Sequence, residues 1–176
     1  FTKIVENRSV RDKDARDTAK IVGLAAIKYG DLSNQATKDY IFDVDRFTSF
    51  EGNTGPYILY TIVRIKSILN RYVEAGGNLE AGEILPASNG SEKNLMLQLS
   101  GFGSMIESAF EEKAPHKICA YIYEVSNAFN SFYHETKILS EENQAQKESY
   151  IRLLQLTKRV LETSIDLLGF EAPDKM

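Results

Sequence analysis

The chain has 176 residues, a formal net charge of −4 and a hydrophobic content of 43%, enough for the core of one or two compact units. Its single cysteine, Cys119, excludes an internal disulfide, and its apolar neighbours predict a buried, unreactive thiol. No apolar run approaches the roughly 20 residues of a membrane-spanning helix, so we expect no membrane partner. His116 and His134 have no cysteine or carboxylate partner at ligand spacing, and the sequence therefore indicates no metal site.

The first part of the chain predicts one helix followed by an irregular segment. Asp12 or Asp14 can cap a helix that continues to about Tyr29, since apolar residues recur on one face over that range. The turn residues at 30–34 end this helix. Residues 35–53, rich in aspartate and aromatic residues, predict irregular structure or a short helix.

A second long helix is predicted from about Pro56 to Ala75. Proline suits the first turn of a helix, where its missing N–H is not needed. Residues 76–78 (GGN) stop the helix, because glycine and asparagine tolerate left-handed backbone conformations. The following stretch, 79–90, contains several glycine, proline and serine residues and predicts a loop.

The remainder of the chain predicts three or four further helices. Ser91 and Ser140 are expected as N-caps, and Pro115 opens the helix between them. Gly101 and Gly103 indicate a kink or a break. The face before and after them carries apolar residues expected to be buried: Leu95, Leu99, Phe102, Ile106 and Phe110. Because alternating strand patterns are absent, we predict an all-α fold, an antiparallel helix bundle.

The helix behind Pro56 has an unusual polar composition. Tyr57, Tyr60 and Arg64 fall at positions i, i+3 and i+7, which places them on one stripe. Lys66 and Arg71 follow, and no acidic residue lies between Thr54 and Tyr72, so this stretch carries a local excess of positive charge. Two aromatic rings beside a guanidinium can stack unpaired bases and hold phosphates. The alternative is that both tyrosines are half-buried core residues and that Arg64 is a solvated surface charge.

Four segments of this sequence together resemble the C-terminal part of arginyl-tRNA synthetases. Residues 49–65 (SFEGNTGPYILYTIVRI) are similar to the signature at the entry to the anticodon-binding domain of those enzymes. Residues 22–32 and 39–46 resemble the segments that precede this signature, and residues 167–176 resemble the carboxyl terminus of the family. The order of the segments matches the family, and they span nearly the whole chain. The resemblance implies a helix bundle of the class I synthetase anticodon-binding type.

The resemblance also implies which residues contact RNA. Tyr57, Tyr60 and Arg64 match the aromatic and basic contacts that the family's signature helix makes to the anticodon loop. Tyr133 matches an aromatic contact from a later helix, although it also fits a core ring whose hydroxyl points outward. Met176 matches the family's terminal methionine at the anticodon loop, and the alternative is a frayed tail. Lys66 and Arg71 complete the expected RNA-binding set.

The parent implied by the resemblance is an arginine–tRNA ligase, a monomeric cytoplasmic enzyme that uses ATP and Mg²⁺. The chain opens on Phe1 rather than methionine, and we expect an internal fragment that runs to a natural C-terminus. Residues 1–50 would form a helical junction with the missing catalytic domain, and residues 51–176 the anticodon-binding bundle. The histidine-isoleucine-glycine-histidine element and the KMSKS-like loop of class I catalytic domains are not in this sequence. We therefore expect no catalytic residue and no cofactor in this fragment.

Some positions depart from the family pattern. Leu59 stands where many relatives have glutamine, and Lys175 replaces an arginine, which removes a planar donor group suited to phosphate. Neither change affects the Tyr57, Tyr60 and Arg64 stripe. The alternative function is a helical protein-interaction module without RNA binding, which an acidic balance (pI ≈ 5.3) also fits.

Overall fold

The computed structural model describes residues 12–176, with side chains from Ala15 onward. Within that range the chain forms helices and no β-strand, which confirms the predicted all-α class. The side chains of Asp12 and Asp14, one of which is the expected cap, and the first eleven residues of the predicted junction lie outside the described parts. The helices are α1 (Asp12–Leu32), α2 (Val44–Phe47), α3 (Gly55–Glu74), α4 (Gly90–Ser100), α5 (Phe102–Glu111), α6 (Pro115–Glu135) and α7 (Gln144–Leu167).

The helices pack as a bundle around one continuous apolar core. Helix α3 packs against α1 and α7, helix α6 packs against α4 and α5, and α3 and α6 also contact each other. Fully buried side chains from both central helices form the middle of the core: Ile58, Leu59, Ile62 and Ile65 from α3, and Ile122, Phe129 and Phe132 from α6. Helix α1 adds Ala25 and Tyr29 to the same core. The division of the chain at residue 50 stays a prediction.

The beginning of α3 is fixed by its cap and by a close approach to α1. The Thr54 hydroxyl accepts a hydrogen bond from the backbone N–H of Tyr57 at 3.2 Å and donates one to the Ser49 carbonyl at 2.6 Å. Gly55 lies directly against the backbone of Ala25, where a Cβ atom would overlap the Ala25 carbonyl oxygen. These contacts fix the direction of the α3 axis. They therefore also fix the side of the bundle on which Tyr57, Tyr60 and Arg64 lie.

The predicted N-caps of α4 and α7 are wrong by a few residues. Asn89, not Ser91, caps α4, and its side-chain oxygen accepts from the Glu92 N–H at 2.8 Å. Asn143, not Ser140, caps α7 and accepts from the Gln146 N–H at 3.2 Å. Asparagine caps a helix as well as serine does, and the sequence interpretation gave serine the preference.

The other helix boundaries follow the prediction closely. Helix α3 covers Gly55–Glu74, and Gly76, at φ +85°, follows its end as expected. The predicted break at Gly101 separates α4 from α5. The predicted burial of Phe110 is wrong, because its side chain is 83% exposed near the end of α5, beyond the reach of the core.

Candidate nucleic-acid interface

Helices α3 and α6 bring three of the predicted RNA-binding side chains together at the surface. The Cζ atom of Arg64 lies 4.6 Å from the ring centroid of Tyr60 and 5.2 Å from that of Tyr133. Tyr60 is 41% exposed and Tyr133 is 36% exposed, so each ring keeps accessible surface. A guanidinium this close to two aromatic rings is attracted to both by cation–π interaction. We call Tyr60, Arg64 and Tyr133 the arginine cluster.

A second layer of polar side chains lies beneath the arginine cluster. Asn130 accepts a hydrogen bond from Nη1 of Arg64 at 2.7 Å and donates one to the Tyr57 hydroxyl at 2.8 Å. The Tyr57 hydroxyl in turn donates to Oδ1 of Asn127 at 2.8 Å. Nη2 of Arg64 donates to the Tyr60 hydroxyl at 3.0 Å. The side chains of α3 and α6 therefore form one hydrogen-bonded network that continues from the surface into the bundle.

Tyr57 is the inner member of this network. Its side chain is half-buried, packs against the core and meets the ring of Tyr123 edge-on at 5.7 Å between centroids. Burial raises the pKa of Tyr57 above its ordinary value, against the smaller opposing effects of the Asn130 hydrogen bond and the Arg64 charge. The structure thus places Tyr57 as a support for the cluster, which is close to the half-buried alternative considered from the sequence.

The polar groups that the cluster offers to a ligand include several hydrogen-bond donors. Arginine has no acceptor, and its five N–H groups exceed the two hydrogen bonds that Arg64 makes to Asn130 and Tyr60. The Tyr60 hydroxyl accepts from Arg64, so its own proton can point toward a ligand. Donors beside accessible aromatic rings match a ligand with acceptor atoms and flat faces, such as an unpaired base with its phosphate.

Lys66 lies apart from the arginine cluster and contacts the C-terminal tail. Its Nζ atom lies 3.4 Å from the Ala172 carbonyl, 3.3 Å from the Pro173 carbonyl and 3.5 Å from a Glu162 carboxylate oxygen. The Lys66 side chain is only 16% exposed. Its surroundings suit a residue that holds the tail, and its contact with RNA stays a prediction.

Arg71 and Met176 occupy two further places on the bundle. Arg71 is exposed in the last turn of α3 and lines a cavity of about 240 Å³ with Lys147 of α7. Met176 is partly buried, and its side chain packs against the core cluster. A role of either residue in RNA binding stays a prediction.

Sequence reasoning missed Asn127 and Asn130. The two residues lie three positions apart in the interior of α6, where asparagine is a weak helix former. Two asparagines at positions i and i+3, which share one side of the helix, were a usable signal. Their partners come from another helix, however, so spacing along one segment does not identify the contact.

Residues 12–176 contain neither a membrane-spanning helix nor a metal-binding cluster. No helix among them combines the length and the apolar character that crossing a membrane requires. No group of three or more histidine, cysteine, aspartate or glutamate side chains in this range is arranged to hold a metal ion. Cys119 is fully buried, and burial raises its pKa to about 12, which agrees with the predicted unreactive thiol.

A family model described as the DALR anticodon binding domain matches residues 58–176. The chain belongs to this DALR family. The matched range contains the whole arginine cluster, the supporting asparagines and the C-terminal tail. The family therefore agrees with the resemblance seen in the sequence, and it does not favour the alternative of a protein-interaction module without RNA binding.

Relatives of this DALR-family chain are arginine–tRNA ligases. The ligase of Agathobacter rectalis is 68% identical over 173 residues, covering 97% of this chain and 29% of the ligase. The ligase of Alkaliphilus oremlandii is 53% identical over 176 residues, covering 100% of this chain and 30% of the ligase. The chain thus spans about three tenths of the length of these relatives, and the resemblance to arginyl-tRNA synthetases is confirmed.

Solved structures show the same helical architecture. The arginyl-tRNA synthetase of Thermus thermophilus superposes with a TM-score of 0.86 at 29% identity, covering 97% of this chain and 29% of that chain. The arginyl-tRNA synthetase of Plasmodium falciparum gives a TM-score of 0.81 at 29% identity, covering 93% and 28%. The DALR-family bundle seen here is therefore shared with distant synthetases.

Proposed function

We propose that this chain binds the anticodon loop of an arginine tRNA and that the arginine cluster contacts the loop. The observation that carries the proposal is the arrangement of Arg64 beside the exposed rings of Tyr60 and Tyr133, inside the range matched by the anticodon-binding family. Anticodon bases are unpaired, and proteins recognise such bases by stacking and by hydrogen bonds to their open edges. Each stack on an aromatic side chain is worth about 1–3 kcal/mol.

The chain's role within a larger enzyme follows from its relatives. The parent would be an arginine–tRNA ligase in the cytoplasm, a monomer whose catalytic domain uses ATP and Mg²⁺. This chain would contact that catalytic domain and hold the far end of the tRNA, so that the acceptor end meets the active site. Its contribution to the rate would be positioning and discrimination rather than chemistry. No catalytic residue and no cofactor would come from this fragment.

The test is binding of the chain to an arginine tRNA transcript and to the same transcript with its central anticodon base changed, over a salt series. Tighter binding of the unaltered transcript is expected and supports anticodon reading. Equal, salt-sensitive binding of both transcripts would contradict anticodon reading and leave only general RNA affinity. No binding at low salt would contradict the whole proposal.

A pair of variants separates the cluster from general positive charge. Arg64→Leu is expected to weaken binding and to reduce the preference for the unaltered anticodon. Arg159→Leu, which removes an exposed arginine on α7 outside the cluster, is the matched control. Equal effects of the two variants would show that the cluster has no special part in binding.

A further inference from the structure

The guanidinium of Arg64 fixes the orientation of the Asn130 amide and with it the hydrogen bond from Asn130 to Tyr57. Arginine only donates, so the Asn130 atom 2.7 Å from Nη1 of Arg64 must be the amide oxygen. The amide nitrogen then faces the Tyr57 hydroxyl, which accepts from it at 2.8 Å and is left to donate to Asn127. The orientation of the amide thus follows from the chemistry of its partners and not from an arbitrary assignment.

Asn130 is also the side chain whose hydrogen bond connects Arg64 of α3 to helix α6. The Tyr60 hydroxyl binds the other terminal nitrogen, but Tyr60 lies one turn away on the same helix α3 and is itself exposed. Tyr133 of α6 contributes a ring face without directional preference. Asn130, half-buried on α6 and hydrogen-bonded to Tyr57, supplies a fixed acceptor.

We infer that Asn130 is a positioning residue that holds the Arg64 guanidinium in the orientation used for RNA binding. This inference rests on the proposed function and adds to it a residue that need not touch RNA. Ordering a long side chain before binding removes part of the entropic penalty of association. Without Asn130, Arg64 keeps its charge but must be ordered when RNA binds, so affinity falls although no RNA contact has been removed.

Asn130→Leu tests the inference, with Asn127→Leu as the matched control. Each variant removes one hydrogen bond from the Tyr57 hydroxyl, but only Asn130→Leu removes one from Arg64. We expect Asn130→Leu to weaken binding of the arginine tRNA transcript about threefold to tenfold, and Asn127→Leu to weaken it less than twofold. Equal losses from both variants would overturn the inference, since support of Tyr57 would then be the common cause.

A double-mutant cycle asks whether Asn130 acts through Arg64. In an Arg64→Leu background, Asn130→Leu should cause no further loss of tRNA binding. A full additional loss would mean that Asn130 binds RNA itself or supports another part of the surface, and the inference would fail. Asn130→Ala, which needs no extra apolar volume, carries the same expectation if the leucine variant does not fold.

The nitrogen-15 NMR signals of the Arg64 guanidinium give a readout that does not depend on RNA. Restricted rotation should give resolved Arg64 side-chain signals in the unaltered chain and in Asn127→Leu, and averaged signals in Asn130→Leu. Averaged signals in the unaltered chain would overturn the inference even if tRNA binds. The chain could also show resolved Arg64 signals that depend on Asn130 and yet not bind tRNA. In that case Asn130 would still position Arg64, and only the proposed function would be contradicted.

Discussion

The three tyrosines around Arg64 differ in the contacts that they make within the protein. The Tyr57 hydroxyl both donates and accepts within the protein, to Asn127 and from Asn130. The Tyr60 hydroxyl accepts from Arg64 and keeps its proton for another partner. The Tyr133 ring stacks on the buried Phe129 at 6.1 Å between centroids. We therefore assign Tyr57 to the support of the site, and Tyr60 and Tyr133 to its surface.

Tyr57→Phe should destabilise the chain by about 1–2 kcal/mol. The change leaves the amides of Asn127 and Asn130 without their shared partner in a half-buried place, and unsatisfied polar groups there are costly. Urea unfolding measures the difference, with Tyr60→Phe as the control expected within about 0.5 kcal/mol of the unaltered chain. Equal stability of the two variants would show that the Tyr57 hydroxyl is not needed.

Arg64 should affect both the strength and the salt dependence of tRNA binding. Arg64→Leu removes one positive charge, and the slope of log K against log salt should fall by about 0.7 if the charge contacts a phosphate of a single strand. Arg64→Lys should keep the slope and still weaken binding, because an ammonium lacks the planar fork that Asn130 and the rings hold. Binding constants over a salt series decide this, and an unchanged slope in Arg64→Leu would exclude a phosphate contact.

The outer side chains of the site could be predicted from the sequence, while the inner ones could not. Tyr60 and Arg64 follow from helical spacing on one segment, and Tyr133 from the family resemblance. The role of Asn130 can be recognised only when the packing of α3 against α6 is known, because its partners Arg64 and Tyr57 are on α3. A single sequence states which residues share a face of one helix, but it does not state which faces of two helices meet.

At the scale of the elements, the entry to α3 depends on a close helix crossing. Gly55 in the first turn of α3 touches the backbone of Ala25 in α1. Gly55→Ala would force these two backbones apart, and overpacking of this kind typically costs about 1–3 kcal/mol. Gly103→Ala in α5, where a Cβ meets nothing within 4 Å, should instead stabilise the chain by about 0.5–1 kcal/mol. Thermal unfolding of both variants measures the two changes in stability, which should have opposite signs. A stabilised Gly55→Ala variant would contradict the close approach of the α3 and α1 backbones.

The C-terminal tail is attached to the bundle through Lys66. Lys66→Met should speed hydrogen exchange in residues 170–176 while changing global stability by less than about 1 kcal/mol, since its ion pair with the 98% exposed Asp174 contributes little. Lys158→Met is the control, because Lys158 shares the Glu162 partner with Lys66 but makes no described contact with the tail. Equal exchange in both variants would mean that Glu162, and not the tail carbonyls, is the important partner.

The sequence predicts the helices better than it predicts the residues that cap them. The helices themselves follow from apolar periodicity, which extends over several turns and tolerates a few exceptions. A cap depends on one residue, and Asn89 and Ser91 both satisfy the local rule. The structure resolves the choice because the Glu92 carboxylate, fully buried at the third helical position, accepts from the N–H and the hydroxyl of Ser88. The Asn89 side chain accepts from the Glu92 N–H, and the helix begins after Asn89.

At the scale of the whole molecule, one core connects the first helix to the matched family range. The Tyr29 hydroxyl of α1 donates to the Cys119 carbonyl of α6 at 2.8 Å and also lies 2.5 Å from Oδ1 of Asn53. Tyr29 is fully buried, and burial raises its pKa above the ordinary value. Helix α1 is therefore part of the packed unit, and we expect the described range to unfold in a single cooperative transition.

This core should make the chain less stable in alkali. Burial raises the pKa of the Cys119 thiol from 9.0 to about 12 and the pKa of Tyr121 from 10.0 to about 12. The unfolded chain therefore releases these protons at a lower pH than the folded chain does. The stabilisation is complete below about pH 9 and is lost as the pH rises from about 9 toward 12, at up to about 1.4 kcal/mol per pH unit for Cys119.

Urea unfolding at a series of pH values tests this alkaline loss, with Cys119→Ala as the comparison. The variant lacks the thiol but keeps the tyrosines and lysines that also titrate in alkali, so its stability should fall less steeply between pH 9 and pH 11. The slope decides the question, because alanine in the core lowers stability at every pH by a similar amount. Parallel slopes would mean that Cys119 becomes a thiolate in the folded chain as readily as in the unfolded one. That result would contradict the tight packing of α6 against its neighbours, and with it the rigid base on which the network from Tyr57 to Arg64 rests.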